Sequence, residues 1–126
     1  MNSFINTLHN AVQKNSIYII IPNTIFNLQL CKIFYKQNFF FSYRKLFFKK
    51  SIYIIAYLNY INNKLFLQSI KRISTPSHPI FWTFSKLAYN KHKTNHFFIL
   101  STSKGIISCN DAIKYKIGGL VLLSAY

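Results

Sequence analysis

The electrostatic charge of this chain constrains it more than any other feature of the sequence. Sixteen Lys and Arg residues stand against a single acidic residue, Asp111, in a total of 126 residues. Repulsion among so many like charges makes the free protein harder to keep compact. A charge field of this kind favours a nucleic acid, an anionic membrane surface or a strongly acidic protein as the partner.

The composition shows that the scarcity of acidic residues is more informative than the abundance of Lys. Ile, Lys, Phe, Asn and Tyr have codons rich in A and T and supply 68 of the 126 residues, so mutational drift alone can enrich Lys. Asp and Glu also have codons rich in A and T, yet they are almost absent, whereas charged residues of both signs usually make up about a quarter of a chain. The loss of acids therefore indicates a polyanionic partner. The composition also suggests a chain that is encoded and made inside an organelle, and we expect a mitochondrial location.

Length and hydrophobicity predict a folded protein without a membrane-spanning helix. A chain of this length forms one domain of average size or two very small ones, and 51% of its residues are hydrophobic. The longest segment without Lys, Arg, Asp or Glu, residues 15–31, contains Pro22 and several polar residues, so it does not fit a spanning helix. The first residues do not show the pattern of a secretory signal. Cys31 and Cys109 are far apart, which favours free thiols in a reducing compartment.

The first half of the chain has the periodicity of two helices and three strands. The expected elements, in the order helix, strand, helix, strand, strand, cover residues 2–14, 17–21, 25–36, 39–48 and 52–60. Asn23 or Thr24 is the expected N-cap of the second helix. Lys49 and Lys50 form the expected turn of a hairpin between the last two strands. This order predicts an N-terminal α/β domain, residues 1–73, with two helices on a three-stranded sheet.

The second half of the chain has the pattern of a β-rich domain. Pro76 and Pro79, in a polar segment between apolar ones, mark a boundary. Residues 74–126 are therefore expected to form a mainly antiparallel β domain with one short helix, which makes the whole chain an α+β protein. The expected strands cover residues 80–84, 97–100 and 120–125. Residues 86–96 are expected to form a polar connection between the first two of these strands.

The short helix of this half has a recognisable start. Ser108 and Asp111 fit a capping box, in which the serine hydroxyl and the carboxylate each accept a hydrogen bond from a backbone amide. The helix is expected to run from Cys109 to about Lys116, with Gly118 beyond its end. The only acid of the chain therefore has a structural role.

The segment Ser101, Thr102, Ser103, Lys104 and Gly105 is the most specific local signal for function. It combines three hydroxyl groups, a cation and a glycine at the end of an apolar strand. Hydroxyls and exposed amides can bond phosphate oxygens, ribose hydroxyls and base edges, and glycine lets the backbone approach closely. The alternative is an ordinary polar turn. The charge field favours contact with RNA.

Two further basic segments are candidates for contact with RNA. Lys71 and Arg72 lie beside the proline-rich connection and can straddle a phosphate backbone, although a pair of solvated charges is an equal alternative. The second segment is a basic hairpin with interleaved aromatic residues, formed by Arg44, Lys45, Lys49 and Lys50 with Tyr43 and Phe47. Its aromatic side chains can stack on bases, but aromatic residues at period two more often pack a core.

At this point the sequence resembles a known family. Residues 99–108, Ile-Leu-Ser-Thr-Ser-Lys-Gly-Ile-Ile-Ser, followed by the pair Gly118 and Gly119, resemble the C-terminal signature of the small-subunit ribosomal protein eight family. The segment Lys-Arg-Ile-Ser-Thr-Pro at residues 71–76 is similar to the Lys-Arg-Val-Ser-Lys-Pro stretch of that family. The Asn-Ala pair that begins at Asn10 falls where the family has Arg-Asn-Ala. The resemblance spans most of the chain.

The resemblance implies a two-domain protein that binds a helical site in the central domain of small-subunit ribosomal RNA, beside neighbouring small-subunit ribosomal proteins. It implies that the loop of residues 101–105 is the main element in contact with RNA. Further RNA contacts are implied for Asn10, Lys71, Arg72, Ser74, Thr75, Gly118 and Gly119. The chain departs from the family at Leu120, where the family has Glu, and at Ser77, where it has Gly.

Other functions have weaker support in the sequence. His92 and His96 are four residues apart, but no third ligand lies near them in the sequence, so we expect no metal site and no cofactor. The chain has no carboxylate pair and no Cys-His arrangement with an orienting acid, so we expect neither an enzyme nor a small-molecule substrate. The alternative function is a peripheral membrane protein on anionic lipid, for which a continuous amphipathic helix is typical.

Overall fold

The protein consists of two compact units, each with its own antiparallel sheet. The computed structural model describes residues 2–94 and 96–126. The first unit ends at Ser69 and the second covers Ile70–Tyr126. The predicted α+β class is confirmed, because each unit combines helices with antiparallel strands. We expected the boundary between the two domains after residue 73, which is four residues beyond the end of the first unit at Ser69. Residues 70–72 belong to the second unit because they pair with its last strand, a pairing that the sequence did not indicate.

The first unit has the predicted helices, strands and hairpin. In chain order these are α1 (Asn2–Gln13), β1 (Tyr18–Pro22), α2 (Ile25–Lys36), β2 (Phe40–Phe48) and β3 (Ser51–Leu58). The strands are antiparallel in the order β1-β3-β2. Lys49 and Lys50 form the turn between β2 and β3, as predicted, and Lys49 has a positive φ of 54°. The prediction of two helices and a three-stranded sheet is therefore confirmed.

Aromatic side chains fill the core of the first unit. Phe4 of α1 and Phe34 of α2 are fully buried and stack with their ring centroids 5.4 Å apart. Phe40 of β2 lies 5.3 Å from Phe34 and 6.4 Å from Phe4. Leu8, one helical turn after Phe4, is also fully buried, so the apolar face of α1 packs into this core. Each large ring adds a large buried apolar area to this core.

The start of α2 has the predicted cap. Thr24 has an extended backbone, and its hydroxyl accepts a hydrogen bond from the amide of Asn27 at 3.1 Å. Asn27 is itself buried, and its side-chain amide donates to the carbonyl of Pro22 at 3.0 Å. The cap residue is thus Thr24 and not Asn23. A side-chain bond of this kind satisfies one of the amides that a helix leaves open at its start.

A small hairpin follows the three-stranded sheet and was not predicted. It consists of β4 (Tyr60–Ile61) and β5 (Lys64–Leu65). Its two turn residues, Asn62 and Asn63, have positive φ angles of 53° and 64°. Asparagine tolerates this conformation better than most residues, so an Asn-Asn pair suits such a tight turn.

The second unit is a sheet with two helices packed against it. Its elements are β6 (Ile70–Arg72), β7 (Phe81–Trp82), α3 (Phe84–Thr94), β8 (Phe97–Thr102), β9 (Gly105–Ser108), α4 (Cys109–Tyr115) and β10 (Gly119–Ala125). The strand order is β6-β10-β8-β9, and β7 also pairs with β10. All these pairings are antiparallel, as predicted. The core of this unit contains Leu87, Phe98, Leu100, Cys109, Ala112 and Val121.

The predicted polar connection at residues 86–96 is wrong, because α3 occupies most of it. The described part of the second unit therefore has two helices, not one. The predicted strand at residues 80–84 shortens to Phe81–Trp82, since α3 begins at Phe84. The helix was missed because Leu87 is its only buried residue, so it has no apolar stripe that periodicity can detect.

The second helix of this unit, α4, begins as predicted. The hydroxyl of Ser108 accepts a hydrogen bond from the amide of Asp111 at 3.3 Å. Asp111 lies in the first turn, where the interaction of its negative charge with the helix dipole stabilises the helix. The helix ends at Lys116, which adopts a left-handed conformation with φ 57°.

Both cysteines are free and buried. Burial raises the pKa of the Cys31 thiol to about 12 and also raises the pKa of Cys109. A buried thiol with a raised pKa is not a nucleophile at neutral pH. The expectation of two free thiols is confirmed, and both serve as core residues.

Replacing Phe34 by Ala is expected to lower the free energy of unfolding by about 3–5 kcal/mol, because it opens a cavity between the rings of Phe4 and Phe40. Phe41→Ala is the matched control, since Phe41 is 71% exposed, and it should change this free energy by less than about 0.5 kcal/mol. Urea denaturation measures both. Similar losses for the two variants would contradict the aromatic core described above.

Candidate nucleic-acid interface

The segment predicted to contact RNA is the tip of a tight hairpin. Ser101 and Thr102 end β8, Gly105 begins β9, and Ser103 and Lys104 form the two-residue turn between them. Gly105 has a φ of +97°, a backbone conformation that residues other than glycine rarely adopt. The turn residues and Gly105 are exposed. The segment is therefore the turn of a defined β-hairpin, and its contact with RNA stays a prediction.

The hydroxyl of Thr102 holds this tip in shape. It donates to the carbonyl of Gly105 at 3.0 Å and accepts from the amide of Lys104 at 3.1 Å. These two bonds lie within the hairpin, so Thr102 has less hydrogen-bonding capacity left for a ligand than Ser103 does. Ser103 and Lys104 are exposed, so a hydroxyl and an ammonium are accessible at the tip.

An aromatic ring fixes the position of the cation at the tip. The Nζ of Lys104 lies 4.1 Å from the centre of the Tyr115 ring, at the end of α4. Tyr115 is 49% exposed, so the pair lies at the surface. A cation above an aromatic face is stabilised by about 0.5–1 kcal/mol at an exposed site. This contact restricts a lysine side chain that would otherwise move freely.

Gly119 allows β8 to pack tightly against β10. A Cβ atom on Gly119 would lie 2.5 Å from the carbonyl oxygen of Ser101 and 2.8 Å from a methyl group of Thr102. A Cβ atom on Gly118 would instead collide with the carbonyl oxygen of Trp82, at the end of β7. The structure therefore places Gly119 beside the hairpin and Gly118 beside β7, and each has a packing role there.

The other predicted residues of the second unit lie on and after β6. Lys71 is exposed, and the half-buried Arg72 donates from its Nε to the carbonyl of Ser74 at 2.8 Å. Ser74 is only 3% exposed; its hydroxyl donates to the carbonyl of Val121 and accepts from the amide of Ile80. Ser74 thus connects the strands around β10, and it is the predicted residue least available to RNA. Thr75 is exposed at the turn that follows.

Asn10 is the predicted site residue of the first unit. It lies on the exposed side of α1, opposite the buried residues Phe4, Leu8 and Ala11. Its side chain is therefore available to a partner. The remaining predicted residues all belong to the second unit.

The second unit also presents apolar groups beside the hairpin that the sequence did not reveal as part of a site. Phe81 is 69% exposed, and Leu120 pairs in register with both Phe81 and Ser101. A cleft of about 460 Å³ is lined by Phe81, Trp82, Thr83, Phe84, Lys116, Gly118 and Gly119. The apolar run of residues 80–84 indicated a strand, and only the exposure of Phe81 in the fold identifies it as a surface ring.

Most cations of the chain are exposed on its surface. Fourteen of the sixteen Lys and Arg residues are exposed, and Arg72 and Lys91 are half-buried. The chain has one acidic side chain, Asp111, at the start of α4, so it cannot neutralise this field. Phosphate groups are the natural counter-charge for such a surface.

The other possible sites find little support in the fold. Within residues 2–94 and 96–126, no three His, Cys, Asp or Glu side chains are placed to hold a metal ion. His92 lies in α3, which ends at Thr94, so His92 and His96 do not share one helical face. Among the described helices, none is long and apolar enough to cross a membrane.

Comparison with known proteins identifies the family. A family model described as ribosomal protein S8 matches residues 1–126. The chain is 32% identical over 124 residues to small ribosomal subunit protein uS8m of Acanthamoeba castellanii, covering 98% of this chain and 93% of that protein. It is 29% identical over 131 residues to small ribosomal subunit protein uS8c of Bigelowiella natans, covering 100% and 97%. It is 29% identical over 125 residues to uS8 of Azobacteroides pseudotrichonymphae, covering 98% and 95%.

These matches confirm the resemblance found in the sequence: the chain belongs to the ribosomal protein S8 family. Members of this family are structural constituents of the small ribosomal subunit and not enzymes. The chain is accordingly a small-subunit ribosomal protein, and its basic surface belongs to a component of a ribonucleoprotein particle.

Replacing Gly119 by Ala is expected to lower the free energy of unfolding by about 1–3 kcal/mol, because the new methyl group overlaps the backbone of Ser101. Ser103→Ala is the control, since Ser103 is an exposed residue of the same hairpin, and it should leave stability within about 0.5 kcal/mol. Thermal or urea unfolding measures both variants. A Gly119→Ala protein as stable as the parent would contradict the close approach of the two strands.

Proposed function

We propose that this protein binds the central domain of small-subunit ribosomal RNA and supports its assembly, with the β8–β9 hairpin tip as its main contact. The observation that carries the proposal is the Lys104 ammonium, held 4.1 Å from the Tyr115 ring at an exposed tip that also presents Ser103 and the backbone of Gly105. A fixed cation, a free hydroxyl and an open backbone together fit a phosphate and a ribose hydroxyl.

Each unit offers further groups for contact with RNA. Lys71 and Thr75 are exposed cationic and polar groups of the second unit, and Asn10 is exposed on the first unit. Gly119 acts by allowing β8 to lie close to β10, Gly118 by allowing close packing against β7, and Arg72 and Ser74 act by shaping the segment after β6. We therefore divide the predicted RNA-binding residues into residues that contact RNA and residues that position the contacting residues.

The departure from the family pattern at Leu120 fits this surface. Leu120 pairs with Ser101 and Phe81 at the base of the hairpin. Leucine at this place adds an apolar group beside the exposed Phe81. A base or sugar lying against this region would meet an apolar surface.

We infer that the protein works in an organellar ribosome, most specifically that of a mitochondrion. The relative in Acanthamoeba castellanii carries the mitochondrial form of the family name, and the relative in Bigelowiella natans the chloroplast form. The A/T-rich codon usage implied by the composition supports a chain encoded in an organelle genome. Neighbouring ribosomal proteins in the same subunit are the expected protein partners.

The alternative function on anionic lipid has less support from the geometry. Helix α1 is amphipathic, but its apolar residues Phe4 and Leu8 are fully buried in the core of the first unit. An interfacial helix must instead offer its apolar face to the membrane. The helix α3 has a single buried residue, Leu87, and a polar surface. Neither helix has a free apolar face, so we favour RNA.

Replacing Lys104 by Ala is expected to weaken binding to a fragment of the central domain of small-subunit ribosomal RNA. It should also reduce the slope of log K against log salt by about one, because one phosphate contact is lost. Filter binding or fluorescence anisotropy over a series of salt concentrations measures both quantities.

Lys93→Ala is the matched control for this variant. Lys93 also lies over an exposed ring, 5.8 Å from the centre of Tyr89, but it belongs to α3 and not to the hairpin. If both variants reduce affinity and slope equally, the cations act only as a diffuse field and the assigned role of the hairpin tip is wrong.

A further inference from the structure

The far end of the β2–β3 hairpin carries exposed aromatic rings that the proposed contact does not use. Phe47 is 72% exposed and Phe48 is 59% exposed. The sequence favoured a core position for Phe47, and this prediction is wrong, because the hairpin extends beyond the core that Phe34 and Phe40 form. Two adjacent rings exposed at a hairpin end form an unusual surface for a protein that has no partner there.

The two rings lie on opposite faces of the ribbon, and each has a cation on its own face. Side chains alternate along a strand, so Phe47 shares a face with Lys45, and Phe48 shares the other face with Arg44. Phe47 pairs in register with Ile52, which is also exposed, and Phe48 with Ser51. Both faces therefore combine a ring nearest the turn with a cation two or four residues behind it.

Two more cations form the turn itself. Lys49 and Lys50 are exposed, and the Nζ of Lys49 lies 5.5 Å from the centre of the Phe48 ring. The first unit contains eight Lys and Arg residues and no acid. The charge around the rings is therefore entirely positive.

This arrangement favours RNA over a membrane surface. Lys49 and Lys50 directly follow the rings in the turn, so insertion of this hairpin end into hydrocarbon would take their charges with the rings, and that is costly for a charged group. A polynucleotide has the opposite layering, with phosphates outside and bases available for stacking. Rings on both faces also suit bases on two sides of the ribbon, whereas a membrane needs its apolar groups on one side.

We infer that the tip of the β2–β3 hairpin is a second RNA-binding site, which takes unpaired nucleotides by stacking bases on Phe47 and Phe48. Arg44, Lys45, Lys49 and Lys50 hold the phosphates of the same segment. The inference rests on the proposed function, because it takes RNA as the partner, but it concerns a different unit of the protein and a different class of RNA structure. The β8–β9 tip contacts a helical site, and this hairpin contacts a single strand.

The experiment compares the full chain with the double variant Phe47→Leu and Phe48→Leu, using a fluorescent oligouridylate of twelve nucleotides and fluorescence anisotropy. Leucine keeps an apolar side chain but cannot stack on a base. The double variant should bind this probe at least about fivefold more weakly, with an unchanged salt slope. Lys49→Ala with Lys50→Ala should instead reduce the slope by about 1.4.

Phe41→Leu is the matched control, because Phe41 is an equally exposed ring on the same strand, away from the turn. It should bind the probe as the parent does. An equal loss with Phe41→Leu, or no loss with the double variant, would overturn the inference. The inference would also be overturned if the double variant bound vesicles of about 30% anionic lipid more weakly than the parent does but bound the oligonucleotide equally well.

The two proposals can fail separately. Lys104→Ala should leave the affinity for the oligonucleotide within about twofold of the parent, while the leucine variant should keep at least half of its affinity for the central-domain fragment. A double variant that binds the oligonucleotide normally while Lys104→Ala fails on the fragment would refute the second site and leave the first intact.

Discussion

Repulsion among sixteen cations is the constraint on which the rest of the structure depends. The chain has one acidic side chain, so ion pairs cannot balance the field, and most of these cations lie exposed in water. Each unit is stabilised against this repulsion by its own apolar core. The first core contains the stacked rings of Phe4, Phe34 and Phe40, and the second contains the cluster around Leu100 and Val121. Salt screens the repulsion over about 10 Å, but a bound polyanion removes it more completely. The unbalanced surface thus favours the assembled state over the free protein.

The same packing that stabilises the second unit also shapes its functional edge. Gly119 brings β10 against Ser101, Thr102 bonds across its own turn, and Tyr115 fixes the lysine at the tip. Each contact uses backbone or side-chain groups that are already ordered by the sheet and α4. The hairpin tip is therefore preformed, and its binding to RNA needs little ordering of the protein.

Local chemistry explains which parts of this fold the sequence could predict. The caps at Thr24 and Ser108 follow from residue types that accept amide bonds, and the β2–β3 hairpin follows from two long β-prone runs. Helix α3 could not be predicted, because it buries only Leu87 and its stability depends on packing against the rest of the unit. In the candidate site, the Ser-Thr-Ser-Lys-Gly segment was recognisable, but the roles of Tyr115 and Phe81 depend on tertiary contacts between distant residues. Ser74 is a further case, since the resemblance implied its contact with RNA, whereas the bonds of its buried hydroxyl inside the unit depend on the fold.

A cryo-electron microscopy map of the intact small ribosomal subunit that contains this chain would show what lies against the β8–β9 hairpin tip. We expect ribosomal RNA within hydrogen-bonding distance of Ser103 and Lys104, with phosphates facing the exposed cations of both units. A map in which this edge faces solvent or another protein, with no nucleotide near Lys104, would contradict it.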